Sequence, residues 1–248
     1  MAALYFANRL VQFPLAMFGV SFATVALPAL STQATEQDLS AFKRTLRFSL
    51  RSTLFVTVPS AIGLMFLATP IVSLLFERGS FDRYSTSITS NALFYYTFGL
   101  IGYSGMKIFV SAFHSLQDTR TPARVAGLSL LLNVVLNAVL MFPMKLGGIA
   151  LATSLSAFFD LSLLYWYLRR RIGPLGETEL LQGLKQCAIA GGGMGVVLWG
   201  GMQIPFLIQG WRGLFLLICT GGFSYFAVAR FLHIPEAEAL WRWICRKK

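Results

Sequence analysis

A polar cluster stands inside the first apolar segment of the chain, YFANRLVQFPLAMFGVSFATVALPAL, residues 5–30. Arg9 has Asn8 beside it, and Gln12 follows three residues later, where it can share a helical face with Arg9. Pro14 lacks a backbone N–H and is expected to kink the helix and open a cavity. An arginine in a cavity suits phosphate, because its planar guanidinium donates two parallel hydrogen bonds to anionic oxygens. The alternative is that Arg9 snorkels to the headgroups at a membrane surface.

A second polar set lies in the fourth and fifth apolar segments. Asn133 and Asn137, in LLNVVLNAVL, are four residues apart on one helical face, and Thr153 and Ser154 follow in GGIALATSLS. Neutral oxygens of this kind bind a hard cation such as sodium, although amides alone would bind it weakly. The alternative is hydrogen bonding between helices, typically worth under about 2 kcal/mol. Both interpretations are open from the sequence.

Charged side chains elsewhere in the apolar segments are fewer. Asp160 and Lys107 lie near the ends of the fifth and third segments, and each is a counter-ion, a proton carrier or a snorkelling group. His114 and Asp118, in HSLQD, are similar to the His/Asp pairs of membrane acyltransferases, but their spacing is one residue short. Chance explains this pair better, and an acyl or glycosyl transferase would need a convergent acid–base or metal constellation. We therefore predict that the protein is not an enzyme.

Composition defines the class of protein. The 248 residues are 56% hydrophobic and 12% charged, and a soluble domain carries roughly twice that charged fraction. We therefore predict an integral membrane protein. The net charge of +11 does not indicate nucleic-acid binding, because no binding motif accompanies the basic residues and they fall in loops. The cysteines are far apart and odd in number, and we expect free thiols at Cys187, Cys219 and Cys245.

Seven segments are long enough to cross a hydrocarbon core of about 30 Å. They are approximately residues 5–30, 52–76, 88–110, 123–143, 146–168, 184–203 and 212–232. Pro59 and Pro70 predict a kink or break near the end of the second. The glycines near Gly191 would allow close helix approach in the sixth. The predicted fold class is all-α, a polytopic membrane helical bundle with about seven transmembrane helices.

The loops predict an orientation and two cytoplasmic segments. Lysine and arginine are about three times as frequent on one side, which places the C-terminus in the cytoplasm and the N-terminus outside. A chain that starts outside with no upstream signal is expected to be the second part of something longer. Residues 36–51 carry an apolar stripe between basic residues, which predicts a helix lying on the anionic inner leaflet or, alternatively, binding a partner. RRRIGPLGETE, from Arg169, predicts a linker.

Several motifs occur in a fixed order along the chain: YFANRLVQFPLAMFG with ATVALPALS, LLFERGSF, QDTRTPARVA, LLNVVLN, and GGIALATSLS followed by LLYWYLRRR. With them the chain resembles the MurJ/MviN family, the lipid II flippases of bacterial peptidoglycan synthesis, within the multidrug/oligosaccharidyl-lipid/polysaccharide exporter superfamily. The first five spans match by motif, and the last two match by position and hydropathy.

The resemblance implies an architecture. Family members have fourteen spans in two lobes with both ends in the cytoplasm, and this chain resembles the eighth span through the fourteenth. Residues 1–168 would then be five helices of the second lobe, and residues 169–183 a cytoplasmic linker. Residues 184–248 would be the terminal two-helix region, which in the family forms a groove thought to hold the lipid tail. The protein would be a multi-pass protein of the bacterial cytoplasmic (inner) membrane.

The resemblance also implies site residues and partners. Arg9 matches an arginine that lines a cationic central cavity and is needed for flipping, where it would bind the diphosphate together with arginines of the missing N-terminal lobe. Asn8 and Gln12 would join it, although some members have an acid where Asn8 stands. Asn133, Asn137 and Thr153 fall where a sodium site has been proposed, but one expected acid is not present. No cofactor is implied beyond sodium or proton coupling, and the partners are lipid II, membrane lipids and that lobe.

Two other functions remain open from the sequence. One is a different transporter of the same superfamily, either a drug/cation antiporter or an exporter of another lipid-linked oligosaccharide. An antiporter should have acids facing its cavity, and Arg9 has the wrong sign for a cationic drug. The other is a non-transporting remnant that binds lipid or assembles with a partner chain.

Overall fold

The structure, a computed structural model, describes residues 2–79, 81–204 and 210–245. These residues form nine α-helices and one π-helical segment, and no strand occurs among them. The elements in chain order are α1 Ala2–Pro14, the π-helical segment Leu15–Val20, α2 Ser21–Thr35, α3 Leu39–Phe66, α4 Ala68–Phe76, α5 Arg83–Ser115, α6 Arg120–Ile172, α7 Glu177–Met202, α8 Gly210–Phe231 and α9 Pro235–Cys245.

The first two predicted spans are each built from more than one element. α1, the π-helical segment and α2 run on without a gap, and the distortion begins directly after Pro14, as expected from its missing N–H. In the second span the helix breaks at Leu67, where φ is −93° and ψ is 13°. Pro70 lies in the first turn of α4, where a helix tolerates proline best. The predicted break near the end of the second span is confirmed.

α6 contains the fourth and fifth predicted spans. At Lys145 the backbone leaves the helical region, with φ 50° and ψ −127°, two residues after Pro143. The Ser129 hydroxyl donates to the carbonyl of Ser156 at 2.8 Å, although the two residues are 27 positions apart. A continuous helix would separate them by about 40 Å. The chain therefore reverses at Lys145, and residues 120–144 pack beside residues 146–172 as a helical hairpin.

The surface is as apolar as a bilayer requires. Four helical stretches are long and apolar enough to cross a membrane by length and composition: Ala2–Thr35, Leu39–Phe66, Arg120–Ile172 and Gly210–Phe231. Large apolar side chains on these stretches face outward, among them Phe142 at 81% and Phe231 at 82% exposure. A soluble protein would not leave such surfaces in water. The predicted fold class, a polytopic membrane helical bundle, is confirmed.

α5 is the centre of the first part of the bundle, where it contacts every other element up to α6. Its contact with residues 146–172 of α6 depends on three glycines spaced three residues apart, Gly99, Gly102 and Gly105. A Cβ on Gly99 would lie 2.9 Å from the Cα of Ser154, closer than real Cβ atoms approach backbone. Small residues of this kind let helix backbones meet where lipid offers no hydrophobic drive.

α7 packs on α3 through a second glycine face. Gly191 and Gly195 lie against Ile62 and Phe66 of α3, so the predicted close approach at the glycine-rich sixth span is confirmed. On α8, Gly221 lies in the same way against Leu198 of α7. α3 is therefore the element that joins the first part of the bundle to α7, α8 and α9.

Ion pairs also join the first part of the bundle to α7 and α9. They lie at one end of the bundle, which carries residues 36–38, 116–119, 173–176 and 232–234 and which we call the basic end. The three pairs are Arg47–Glu179 at 2.7 Å, Arg51–Glu236 at 3.0 Å and Arg169–Glu177 at 3.0 Å. Of residues 169–183, which include the predicted linker, only 173–176 are non-helical. The division into units at this linker stays a prediction.

The predicted surface helix at residues 36–51 is wrong. Residues 39–51 begin the long helix α3, which Asp38 caps by accepting from the backbone N–H groups of Ser40 and Ala41. Phe42, Leu46 and Leu50 are buried against α2, α5 and α6 instead of facing lipid. An apolar stripe at helical spacing suits a protein core as well as a membrane surface, and here the stripe is buried in the core of the bundle.

Alanine substitutions at two glycines should separate packing from helix propensity. Gly99→Ala should destabilise the protein by about 1–3 kcal/mol, because its Cβ meets the backbone of α6. Gly127→Ala is the matched control, since nothing lies within 4 Å of its Cβ, and should stabilise by up to about 1 kcal/mol. Thermal unfolding in detergent, followed by size-exclusion chromatography, measures both. Equal shifts in Tm for the two variants would contradict this account of the α5–α6 contact.

Candidate functional site

The polar cluster of the first span lies on one face of α1. Asn8, Arg9 and Gln12 are all exposed on that face. The opposite face is buried against the rest of the bundle through Ala7, Val11 and Pro14. The helix thus packs by its apolar side and presents its polar side outward, on a surface that no described part of this chain covers.

The Arg9 guanidinium is held by Tyr5, one turn earlier on α1. Its Nε and Nη2 donate to the Tyr5 hydroxyl at 3.1 and 2.8 Å, and its central carbon lies 5.1 Å from the ring centroid. Two of its five N–H groups are used in this way, which leaves three for another acceptor. Within the described chain, no carboxylate comes within 4 Å of Arg9. The cation is oriented but not neutralised.

The described residues of this chain do not enclose the cavity that was expected beside Arg9. Pro14 does distort the helix, because the π-helical segment Leu15–Val20 follows it at once. However, Arg9 does not line the clefts of about 630, 560 and 440 Å³ formed by the described residues, and its side chain is exposed. What the chain provides is one wall: a cationic face that a second surface would have to complete.

The second polar set is brought together only in part. The Asn137 amide donates to Asn133 Oδ1 at 2.8 Å, so the two asparagines share a face as predicted. Asn137 Oδ1 is buried and has no hydrogen-bond partner among the described residues. The Thr153 hydroxyl donates to the Ile149 carbonyl at 2.8 Å and makes no hydrogen bond to either asparagine among the described residues. The asparagines therefore offer one unused buried oxygen, and such an oxygen is costly unless a partner reaches it.

Lys107 and Asp160 are neighbours across the α5–α6 contact. Lys107 is exposed, Asp160 is half-buried, and the lysine is close enough to act electrostatically on the carboxylate. Over the described residues the two do not reach ion-pair distance, since no pair within 4 Å joins them.

The HSLQD motif is structural. Asp118 accepts from the Thr121 backbone N–H at 3.0 Å and from its hydroxyl at 2.8 Å, and it pairs with Arg171 at 2.8 Å. The Thr121 N–H lowers the pKa of Asp118 below its ordinary value, and Arg171 acts in the same direction. His114 is exposed on the turn before it. Asp118 therefore caps the start of α6 and fastens it to the end of the same element.

One site residue was missed from the sequence, namely Tyr5. Its only signal is its position four residues before Arg9, which places both side chains on one helical face. Such spacing is common by chance, so the hydrogen bonds became visible only in the structure.

The fold and this site together define a class of protein. It is a polytopic α-helical membrane protein whose first span carries an arginine, Arg9, that is held by Tyr5 and paired with no carboxylate among the described residues. The family profile described as "Lipid II flippase MurJ" matches residues 1–219. The chain belongs to the MurJ family, which confirms the resemblance read from its motifs.

Individual relatives agree. A protein of Vibrio cholerae named probable lipid II flippase MurJ is 38% identical over 162 residues, covering 65% of this chain and 31% of the relative. Its namesake in Thermotoga maritima is 33% identical over 235 residues, covering 95% and 46%. A solved structure titled "Lipid II flippase MurJ, inward closed conformation" matches with a TM-score of 0.79 and 26% identity, covering 94% of this chain and 47% of that chain. The chain thus spans about a third to a half of these proteins.

The Asp118 cap should make stability depend on pH. Because folding lowers the pKa of Asp118, its contribution is present above the unfolded pKa of about 3.9 and is lost as pH falls through the folded value. Asp118→Asn keeps an oxygen that can accept from the Thr121 N–H but loses the charge that pairs with Arg171, so it should destabilise the protein at pH 7 by up to about 1 kcal/mol and reduce the loss of Tm between pH 5 and pH 3. The exposed Glu179→Gln is the control for loss of a charge at the basic end. A wild-type pH profile retained in Asp118→Asn would refute titration of Asp118 as its source.

Proposed function

We propose that this chain is the C-terminal portion of a lipid II flippase, which moves the lipid-linked peptidoglycan precursor across the cytoplasmic membrane by alternating access. The observation that carries the proposal is Arg9, an exposed cation on a membrane span that Tyr5 orients and no described carboxylate neutralises. Membership of the MurJ family and the names of its relatives supply the substrate.

The energetics of the headgroup explain why such a site is needed. A sugar–peptide diphosphate cannot cross hydrocarbon unaided, because each polar group would lose its hydration without gaining a partner. A polar cavity between two lobes replaces those partners, and the lipid tail stays in the bilayer. Rocking of the lobes then exposes the cavity to each side in turn. No covalent bond is made or broken, so the activity is transport and not catalysis.

Each residue of the α1 face has a distinct part in this mechanism. Arg9 binds the diphosphate through the N–H groups that Tyr5 leaves free, and the Tyr5 hydroxyl fixes the position of the guanidinium on the polar face. Asn8 and Gln12 donate or accept hydrogen bonds on the same face, where they suit the neutral polar groups of the headgroup. The apolar side of α1 stays fixed on α5 throughout.

The location follows from the charges. With the C-terminus in the cytoplasm, the basic end lies at the inner, anionic leaflet, where lysine and arginine are favoured. The ion pairs of that end then stand at the membrane–water boundary, outside the hydrocarbon. Residues 1–168 would rock as part of one lobe, residues 169–183 would connect, and residues 184–248 would form the terminal two-helix region.

Sodium coupling rests on the Asn133–Asn137 pair. The unused buried oxygen of Asn137 fits a hard cation, and Thr153 on the adjacent helix would add a neutral oxygen, because a hydroxyl that donates to Ile149 keeps its oxygen lone pairs. Three neutral oxygens would bind sodium weakly without a carboxylate. A bound cation would supply positive charge in the second lobe, and proton coupling is the alternative that the experiment below distinguishes.

Complementation tests the anion site. In bacteria depleted of their own lipid II flippase, this chain co-expressed with the N-terminal half of a relative should restore growth, and Arg9→Ala should abolish the rescue. Arg9→Lys should rescue partly, because it keeps the charge but loses the bidentate fork. Arg78→Ala is the matched control, an exposed arginine whose guanidinium, among the described residues, donates only to the Leu74 carbonyl. Full rescue by Arg9→Ala in a well-expressed pair would remove Arg9 from the mechanism.

Sodium dependence tests the coupling. In vesicles that carry the same pair of chains, Asn137→Ala should raise the sodium concentration for half-maximal flipping about tenfold, because it removes the free oxygen. Asn137→Asp should lower that concentration, because a carboxylate binds a hard cation more strongly than an amide. If flipping responds to pH but not to sodium in the wild type and both variants, coupling to protons replaces this proposal.

A further inference from the structure

A polar cleft opens at the end of the bundle opposite the basic end, between the second and third spans. Its volume is about 630 Å³, and it lies between the end of α3 with α4 on one side and the start of α5 on the other. Its polar lining comprises Thr69, Ser73, Glu77, Arg83, Thr86, Ser87, Ser90 and Asn91. Arg9, Asn133 and Thr153 do not line it, so it is separate from both sites described above.

The cleft holds one acid and one base that are not paired with each other. Glu77 Oε2 accepts from the Thr86 hydroxyl at 3.1 Å, which fixes the carboxylate on the cleft wall. Across the described chain, no ion pair within 4 Å includes Glu77 or Arg83. The neighbouring Asp82 is occupied, because it caps α5 by accepting from the Ser85 N–H at 2.8 Å. Both charges of the cleft are thus open to a ligand.

Ser90 gives the second, independent observation. It lines the cleft and is only 6% exposed, yet its hydroxyl has no hydrogen-bond partner among the described residues. Some hydroxyls in these helices donate to the carbonyl four residues earlier, as Thr57 and Thr97 do at 2.9 and 2.6 Å. Thr53, Thr89 and Ser104 are also buried without a partner among the described residues, but none of them lines the cleft. A buried hydroxyl without a partner costs free energy, so Ser90 points to an acceptor or donor that comes from outside the chain.

The other wall of the cleft is apolar. Met65, Ala68 and Phe94 line it, and Phe94 is 39% exposed. One turn further along α5, Phe98 is 42% exposed on the same side of the helix. A molecule that fills the cleft therefore meets charges and hydroxyls near the end of the bundle and exposed aromatic side chains toward its middle. This is the polarity gradient of a phospholipid, not of a freely soluble metabolite.

We propose that this cleft binds one zwitterionic phospholipid with a primary ammonium headgroup. The ammonium donates to the free oxygen of Glu77, the phosphate accepts from Arg83 and the Ser90 hydroxyl, and an acyl chain lies along Phe94 and Phe98. A primary ammonium fits better than a quaternary one, because the polar lining offers hydrogen-bond acceptors and only one aromatic ring. An anionic headgroup without the ammonium would leave Glu77 facing its phosphate.

Native mass spectrometry of the detergent-purified chain tests this site. It would be titrated with phosphatidylethanolamine, phosphatidylcholine, phosphatidylglycerol and the soluble headgroup glycerophosphoethanolamine. One phosphatidylethanolamine should bind about tenfold more tightly than either other lipid, and the soluble headgroup should bind least. Glu77→Gln and Arg83→Gln should each weaken that binding about tenfold, and Ser90→Ala should weaken it severalfold.

The controls make each outcome decisive. Arg78→Gln removes the same charge from the same loop but does not line the cleft, so it should leave the binding unchanged. Equal affinity for the three lipids, or equal loss in Arg78→Gln, would overturn the proposal, and tight binding of the soluble headgroup would show a small-molecule site instead. If Glu77→Gln does not fold, Arg83→Gln on the exposed side of the cleft provides the same test. Failure here leaves the role of Arg9 untouched, because that role is measured by flipping.

Discussion

The close approach of α5 to the second half of α6 is the contact on which the rest of the structure depends. Gly99, Gly102 and Gly105 bring the two backbones together, and α5 in turn carries α1, α2, α3 and α4 on its other sides. In lipid, helices gain no hydrophobic free energy by associating, so their association rests on close van der Waals packing. α5 is therefore the frame on which α1 packs its apolar face.

The side-chain polar groups of the bundle differ in how they are satisfied. Ten serine and threonine hydroxyls of the described helices donate to the carbonyl four residues earlier, so they need nothing from lipid or from other helices, as Ser60 and Ser156 show. Buried polar atoms without a partner among the described residues belong to Gln33, Thr53, Thr89, Ser90, Ser104 and Asn137. Such a group is costly unless a ligand, an ion or another surface completes it. Of these six, Ser90 lines the cleft of the proposed lipid and Asn137 belongs to the proposed cation site.

Much of the fold follows from the sequence, because span length, hydropathy and proline position act locally. The helices cover the seven predicted segments to within a residue or two, and the breaks lie directly after Pro14, three residues before Pro70 and two residues after Pro143. Residues 36–51 were misassigned for a non-local reason. Arg47 and Arg51 look like headgroup-binding cations, yet they pair with Glu179 and Glu236, more than 130 residues away. No local pattern reveals a partner at that distance.

The candidate sites show the same limit. Helical spacing predicted that Asn133 and Asn137 would share a face, and their hydrogen bond agrees. It did not reveal that Asn137 keeps a free buried oxygen, that Tyr5 holds Arg9, or that Glu77 and Arg83 share a cleft without pairing. Each of these facts depends on which rotamers the surrounding helices allow, and that is a property of packing. Polar residues can thus be found in the sequence, but the sequence does not show which of their donors and acceptors lack a hydrogen-bond partner.

The free-energy cost of placing the polar face of α1 against hydrocarbon limits the environments that suit Arg9. An arginine at the centre of a membrane helix costs about 2.5–3.5 kcal/mol by insertion scales, and a lone one near an end avoids this cost by snorkelling. Arg9 instead folds back onto Tyr5, and Asn8 and Gln12 extend the polar strip by a turn on the same face. Lipid offers no hydrogen-bond partners to these three polar side chains, and the apolar face of α1 is already buried on α5. The strip is therefore suited to border a water-filled space or another polar surface, which is the condition that the proposed binding of a charged headgroup would require.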